Sequence, residues 1–285
     1  MEWDLPSILV RDGFGLINNQ DYFDEADVVV FHMPNVGKAE LEELKFKKGK
    51  KQLWVFFSME CGLHYEWQSE KEIIDLFDIT MTYSCNSDVP VPYLYPAYLK
   101  QILNAPVLKY HNVNAFISSS FDKSDRLKVL SELMRYMDID SYGKQLNNKQ
   151  LDTDEGSSTK EQVIARYKFT IAFENAIAKD YVTEKFFEPL IAGSVPVYLG
   201  APNVDDFAPG DHCYVNVNSF DSIKDLAEHL KNCCNDDIQY QQYLKWKSKP
   251  LKHSFIERLD LVKNRAFVRL CDYLNNRLKN NSPQY

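Results

Sequence analysis

The stretch Tyr167–Gly200, YKFTIAFENAIAKDYVTEKFFEPLIAGSVPVYLG, constrains the chain most. A β-rich run is followed by a polar break, a helical run stopped at Gly193, and a second apolar strand. An α/β protein builds a ligand site at the carboxyl edge of its sheet in this order: strand, polar turn, helix start, strand. The break holds Glu174, Asn175, Lys179, Asp180 and Tyr181, and Thr183, Glu184 and Lys185 follow at once. Thr183 suits the N-cap, and Glu184 then sits in the first turn, where a carboxylate complements the positive helix end. Two readings stand side by side. In one, Lys185 is a surface charge and Glu184 only a dipole partner. In the other, free helix N–H groups and Lys185 hold a diphosphate while Glu184 accepts from ribose hydroxyls. Gly193 serves as a C-cap, and Pro189 should kink the helix.

The rest of the chain repeats the α/β rhythm. Runs at 26–32 and 52–58 read as buried strands, 70–77 as a helix and 79–83 as a strand, and the prolines of 90–96 keep that segment extended. The pattern restarts with a strand at 114–119 and an amphipathic helix at 125–137, with Leu127, Leu130, Leu133, Met134 and Met137 on one face. Residues 143–160 read as a polar loop. Helices follow at 161–167, 222–232 (capped by Ser222), 238–246 and 256–276, and a strand at 214–217. The expected fold is α/β, with two Rossmann-like domains, 1–110 and 111–285, facing each other across a cleft, and with the last helix free to pack back on the first domain.

Composition narrows the function classes. In 285 residues with 45% hydrophobic content there is ample core material. The net charge of −8, with Lys and Arg scattered, argues against a general nucleic-acid surface while leaving room for one local basic pocket. Six dispersed cysteines, without a Cys-x-x-Cys pair, read as reduced thiols and not as a disulfide scaffold. No apolar run is long enough to span a membrane, so a full-length chain would be soluble and cytoplasmic, whereas loss of an anchor would leave a Golgi-lumen assignment open. Asn280-Asn281-Ser282 matches a glycosylation sequon and reads as chance in a polar tail.

The run YKFTIAFENAIAKDYVTEKFFEPLIAGSVPVYLGAPNVDDFAP resembles the donor-binding motif of the α-1,3-fucosyltransferases, glycosyltransferase family 10, and most resembles the plant- and invertebrate-like branch that fucosylates the N-glycan core. AFISSSFDKSDRLKVLSELMRYMDIDSYGK resembles the family's first donor-domain strand and helix, and SMECGLHY its acceptor-side motif. The resemblance implies a GT-B enzyme that transfers L-fucose from GDP-fucose with inversion, onto O3 of N-acetylglucosamine in a glycan. It makes Glu60 the general base and Arg126 and Lys185 the cations on the diphosphate. Glu184 becomes the ribose-binding acid, and Asn175 and Tyr181 become donor-pocket residues. It implies no metal and no cofactor beyond the donor substrate.

That chemistry is coherent. Inversion needs one base on the face opposite the leaving GDP, and the charge developing on the β-phosphate needs fixed cations. Asp138-Ile139-Asp140 and Asp152-Thr153-Asp154 read as helix-end or loop acids and not as metal ligands. Each residue also has a plainer reading. Glu60 could be an exposed strand-end acid, with Glu66 as the alternative base, and Arg126 could pair with Asp122 or Asp125. Glu188 could face solvent instead of a ligand. Tyr65, Trp67, Tyr93 and Tyr95 could pack in the core instead of forming a sugar platform. The competing functions are a nucleotide-sugar-binding homologue without turnover and a GT-B transferase with another donor.

Overall fold

The computed structural model describes residues 8–11, 13–104 and 108–281; Ser282 of the sequon lies outside them. The described chain forms two compact units. One comprises its residues through Val91 together with those from Val262 on, and the other comprises Pro92–Leu261.

The first unit opens with an antiparallel hairpin, β1 (Ile8–Arg11) and β2 (Phe14–Ile17), in a region where no strand was expected. Three parallel strands follow in the order β3-β4-β5: β3 (Val28–His32), β4 (Leu53–Ser58) and β5 (Ile79–Thr82). Helix α1 (Lys38–Leu44) joins the first two strands, and the short α2 (Lys71–Ile74) lies between the last two. Phe31, Met33, Leu41, Trp54 and Ile73 form the core on one face. This burial is why the sequence runs of β3 and β4 are almost wholly apolar.

The second unit begins with α3 (Tyr98–Ile102). Its sheet is built from β6 (His111–Ala115), β7 (Asp140–Ser141), β8 (Tyr167–Phe173), β9 (Val195–Leu199) and β10 (Val215–Asn216). All pairings are parallel and the spatial order is β10-β9-β8-β6-β7. Counted within the unit this is the doubly wound order 2-1-3-4-5, and its strand order reverses between β6 and β8. The helices are α4 (Arg126–Tyr136), α5 (Ser157–Ile164), α6 (Glu184–Ala192), α7 (Ile223–Asn235), α8 (Asp237–Gln242) and α9 (His253–Leu261). Leu130 and Leu133 of α4 pack with Leu226 and Leu230 of α7 on Phe169, Ile171, Val195 and Val197 of the sheet. Ser222 caps α7, accepting from the Asp225 N–H at 3.1 Å.

Two departures from the sequence pattern have clear causes. The helix expected over 256–276 is broken, and α10 (Ala266–Asn281) starts afresh after α9. Helix α10 belongs to the first unit. The Tyr273 hydroxyl donates to Asp88 at 3.0 Å, Arg277 donates to the Asp78 carbonyl at 3.0 Å, and the Phe267 ring lies 6.0 Å from that of Phe57. The unit boundary falls at 91/92 and not near 110, because the Tyr98 ring packs 5.8 Å from Phe187 and Lys247 donates to the Ile102 carbonyl. Hydrophobic periodicity finds such elements but does not say which core receives them.

Candidate active site

The β6/β8 reversal matters because adjacent connections leave their strands toward opposite faces there, opening a crevice at the carboxyl ends. The two segments flanking it are residues 116–125 and 174–183. A parallel bridge between Lys123 and Ala176 joins them, with the Lys123 N–H donating to the Asn175 carbonyl at 2.7 Å.

Arg126, the first residue of α4, is only 1% exposed. Its guanidinium does not pair with Asp122 or Asp125. It donates instead to the carbonyls of Ser119 at 3.0 Å, Phe121 at 2.9 Å and Phe173 at 3.3 Å, so it ties the segment after β6 to the end of β8. Asp122 accepts the main-chain N–H groups of Arg126 and Leu127 at 2.9 and 3.1 Å. Burial lowers the arginine pKa, with Asp122 and Glu174 acting in the opposite sense. The Nε–H has no partner.

Glu174, which ends the apolar run of β8, is fully buried. Its carboxylate accepts from the Thr183 N–H at 2.7 Å and from the Thr183 hydroxyl at 2.8 Å. Thr183 caps α6, with its Oγ1 accepting from the Lys185 N–H at 3.4 Å. Lys185 Nζ lies 2.9 Å from Glu184 and 3.6 Å from Glu174, and donates to Thr183 Oγ1 at 3.0 Å. One lysine therefore serves two carboxylates at the start of a helix. Burial pushes the Glu174 carboxyl up to about 7, opposed by Lys185 and by the Thr183 bonds and reinforced by Glu184. Burial also raises Glu184, but Lys185, Lys160 and a main-chain hydrogen bond together hold Glu184 below the usual glutamate value. Burial disfavours the Lys185 charge, yet Glu174 and Glu184 keep its pKa above the ordinary lysine value. A fixed, half-buried cation at a helix N-terminus is suited to an anion.

The turn between Glu174 and Thr183 is held from several sides. Asn175 is 8% exposed and its Oδ1 has no partner. The buried Tyr181 ring meets Tyr93 edge-on at 6.2 Å, and the Tyr181 carbonyl accepts from Tyr198 at 3.4 Å. Asp180 is 2% exposed with φ of 65°, a left-handed conformation that costs a non-glycine residue about 1–2 kcal/mol. Gly200 has to be glycine, since a Cβ there would collide with the Tyr198 hydroxyl and Glu174. At the other end of α6, Gly193 (φ 75°) closes the helix, and Ser194 donates to the Pro189 carbonyl at 2.8 Å.

The five residues expected at the donor pocket, Arg126, Asn175, Tyr181, Glu184 and Lys185, thus all lie in the second unit, on the two flanking segments or at the helix starts that follow them. Glu60 belongs to the first unit. It stands two residues beyond β4, half-buried, with its N–H donating to Ser58 Oγ at 3.2 Å. His32 ends the neighbouring strand β3. Burial lowers the His32 pKa while the Glu60 carboxylate acts to raise it. Glu66, the alternative base, is exposed in a short 3-10 turn.

Other sequence candidates take structural roles. Glu188 pairs with Lys160 of α5 at 2.5 Å. The aromatic group divides between the units. Trp67 packs on the first core, Tyr93 meets Tyr181, and Tyr95 lies 5.2 Å from Tyr98. Asp140 is held by Lys149 at 2.8 Å and Tyr167 at 2.5 Å, and no cluster of potential metal ligands occurs among the described residues. No described helix is long and apolar enough to cross a membrane. Sequence reasoning missed Glu174 as the centre of the cluster. Its signal was an acid placed directly after a continuous apolar strand.

Comparison with known proteins identifies the family. The C-terminal family model "Glycosyltransferase family 10 (fucosyltransferase)" matches residues 107–284, and "Fucosyltransferase, N-terminal" matches 13–94. A fucosyltransferase-like protein of Arabidopsis thaliana is 36% identical over 71% of this chain and 39% of its own length. GDP-fucose protein O-fucosyltransferase 3 of Xenopus laevis is 34% identical over 73% of this chain and 48% of its own. The chain thus spans half or less of these curated relatives. A crystal structure of an α1,3-fucosyltransferase superposes with a TM-score of 0.64 at 17% identity, covering 90% of this chain and 79% of that one. A crystal structure of an α1,3-fucosyltransferase with GDP-fucose gives 0.58 at 16%, covering 83% of this chain and 78% of that one. The fold is therefore of the α/β GT-B class, and the chain belongs to glycosyltransferase family 10, the fucosyltransferases.

Proposed function

We propose that the chain transfers L-fucose from GDP-β-L-fucose to a sugar hydroxyl, O3 of N-acetylglucosamine, with inversion to an α-1,3 linkage. The observation that carries the donor half is the Glu174–Thr183–Glu184–Lys185 cluster at the β6/β8 reversal. Lys185 and the N–H groups of α6 neutralise the diphosphate and stabilise the charge left on departing GDP. Glu184 accepts from the ribose hydroxyls, and Asn175 and Tyr181 line the pocket. Arg126 supports the site by holding the segment after β6 against the end of β8, with its Nε–H left for the ligand. Glu60 removes the proton from the acceptor hydroxyl. The proposed reaction needs no metal, so a chelator should leave its rate unchanged.

A second acceptor reading comes from the relatives named as protein O-fucosyltransferases, in which the nucleophile is a protein hydroxyl. One transfer assay with GDP-fucose separates the two, run in parallel on a glycan array and on folded Ser/Thr-containing domains. Transfer to terminal or core N-acetylglucosamine supports the glycan reading. Transfer confined to protein hydroxyls replaces it, and turnover only with GDP-mannose or UDP-N-acetylglucosamine overturns the donor assignment.

A further inference from the structure

Asp180 stands out in the donor turn as a buried, non-glycine residue in the left-handed region, three residues before the cap of α6. Its main-chain N–H donates to Asn203 Oδ1 at 2.9 Å, and Asn203 Nδ2 donates back to Asp180 Oδ1 at 2.9 Å. The same Nδ2 donates to Asp206 Oδ2 at 3.1 Å, which Arg258 of α9 approaches at 3.4 Å while its guanidinium lies 5.6 Å from the Phe207 ring centroid. Only an amide supplies an acceptor for the N–H and a donor for the two carboxylates at once; an aspartate at 203 would set three acids together.

This clamp fixes one end of the turn, as the Thr183–Glu174 bonds fix the other. Between the two anchors lie only Tyr181 and Val182, and just beyond stand Glu184 and Lys185. We propose that Asn203, acting through Asp180, is a positioning residue for the anion site: it holds the Tyr181–Lys185 turn in the shape that presents Lys185 and the α6 N–H groups to the donor diphosphate. The inference rests on the donor reading above and goes beyond it. It makes the loop after β9, which supplies no proposed ligand contact, a determinant of donor affinity. Backbone strain held by a dedicated partner is a feature of preorganised sites.

The test is GDP binding by titration calorimetry in a double-mutant cycle of Asn203→Ala and Lys185→Ala. Asn203→Ala should weaken GDP about tenfold in the wild-type background and less than about twofold in Lys185→Ala, because the clamp works through that lysine. In transfer assays its effect should fall on the KM for GDP-fucose and not on kcat. Adding Asp180→Gly to Asn203→Ala should restore affinity to within about threefold, since glycine adopts the left-handed turn unaided. This pair also answers the case in which Asn203→Ala alone folds poorly. Equal weakening in both backgrounds, or none in either, overturns the clamp while the donor site stands. Failure of the wild-type protein to bind GDP overturns the donor reading and the clamp with it.

Discussion

The two sheets differ where their parallel strands end. In the second unit the order reverses between β6 and β8, and the edge holds two buried charged groups, Arg126 on three carbonyls and Glu174 under Thr183, with the half-buried Lys185 between two acids. In the first unit the three parallel strands run in sequential order, and the edge carries the half-buried Glu60 and the exposed His32. A diphosphate is a fixed double anion that rewards a rigid, desolvated host. A base must exchange protons with successive acceptors, so it suits a less buried place. The asymmetry in burial matches the division of labour proposed for the two units.

The largest expected effect tests the open edge. Glu60→Gln should cut fucose transfer by about 10²- to 10⁴-fold while GDP affinity is unchanged. A parallel loss of GDP binding would show that the edges are not functionally separate. Lys185→Ala should do the reverse, weakening GDP by roughly ten- to a hundredfold, because the lost contact is charge-assisted. Normal calorimetric affinity in that variant would remove the phosphate role from the buried cluster.

A smaller effect comes from Glu174. Its folded pKa of about 7 lies above the reference value of 4.5, so its contribution to stability is fully present below about 4.5 and is lost as pH rises through about 7. The full span is of order 3 kcal/mol. Glu174→Gln removes the titration, so the melting temperature of wild type relative to the variant should fall between pH 5 and pH 8.5. A gap independent of pH would mean that Glu174 is ionised throughout. Thr183→Ala, which deletes the cap and one buried hydrogen bond, should cost about 1–2 kcal/mol in denaturant melts. No loss there would mean that the α6 start is held by packing alone.

Much of this architecture was legible from pattern. The apolar runs of β8 and β9 could only be buried parallel strands, and Thr183, Gly193 and Ser222 marked helix ends through their own chemistry. Asn175, Tyr181, Glu184 and Lys185, proposed for the donor pocket, were legible as a group because they follow one another in a single strand–turn–helix segment. Glu174, Asn203 and the role of Arg126 were not. Their meaning lies in partners distant in sequence, and no local spacing encodes that Asn203 would meet Asp180 or that Arg126 would reach the Phe173 carbonyl. Likewise α10 reads as an amphipathic helix anywhere, and partners distant in sequence, among them Asp78, Asp88 and Phe57, decide where it docks.

The sequence by itself thus determined the class of fold, the segment that forms the charged edge and the residue types available there. Local hydrogen bonding and hydrophobic periodicity are properties of neighbouring residues. The tertiary structure alone decided that the strand order reverses beside that segment, that Glu174 is stripped of water and pushed toward neutrality, and that Asp180 is held in a left-handed turn from another loop. Burial and long-range pairing set those energies, and both arise only when the chain has closed on itself.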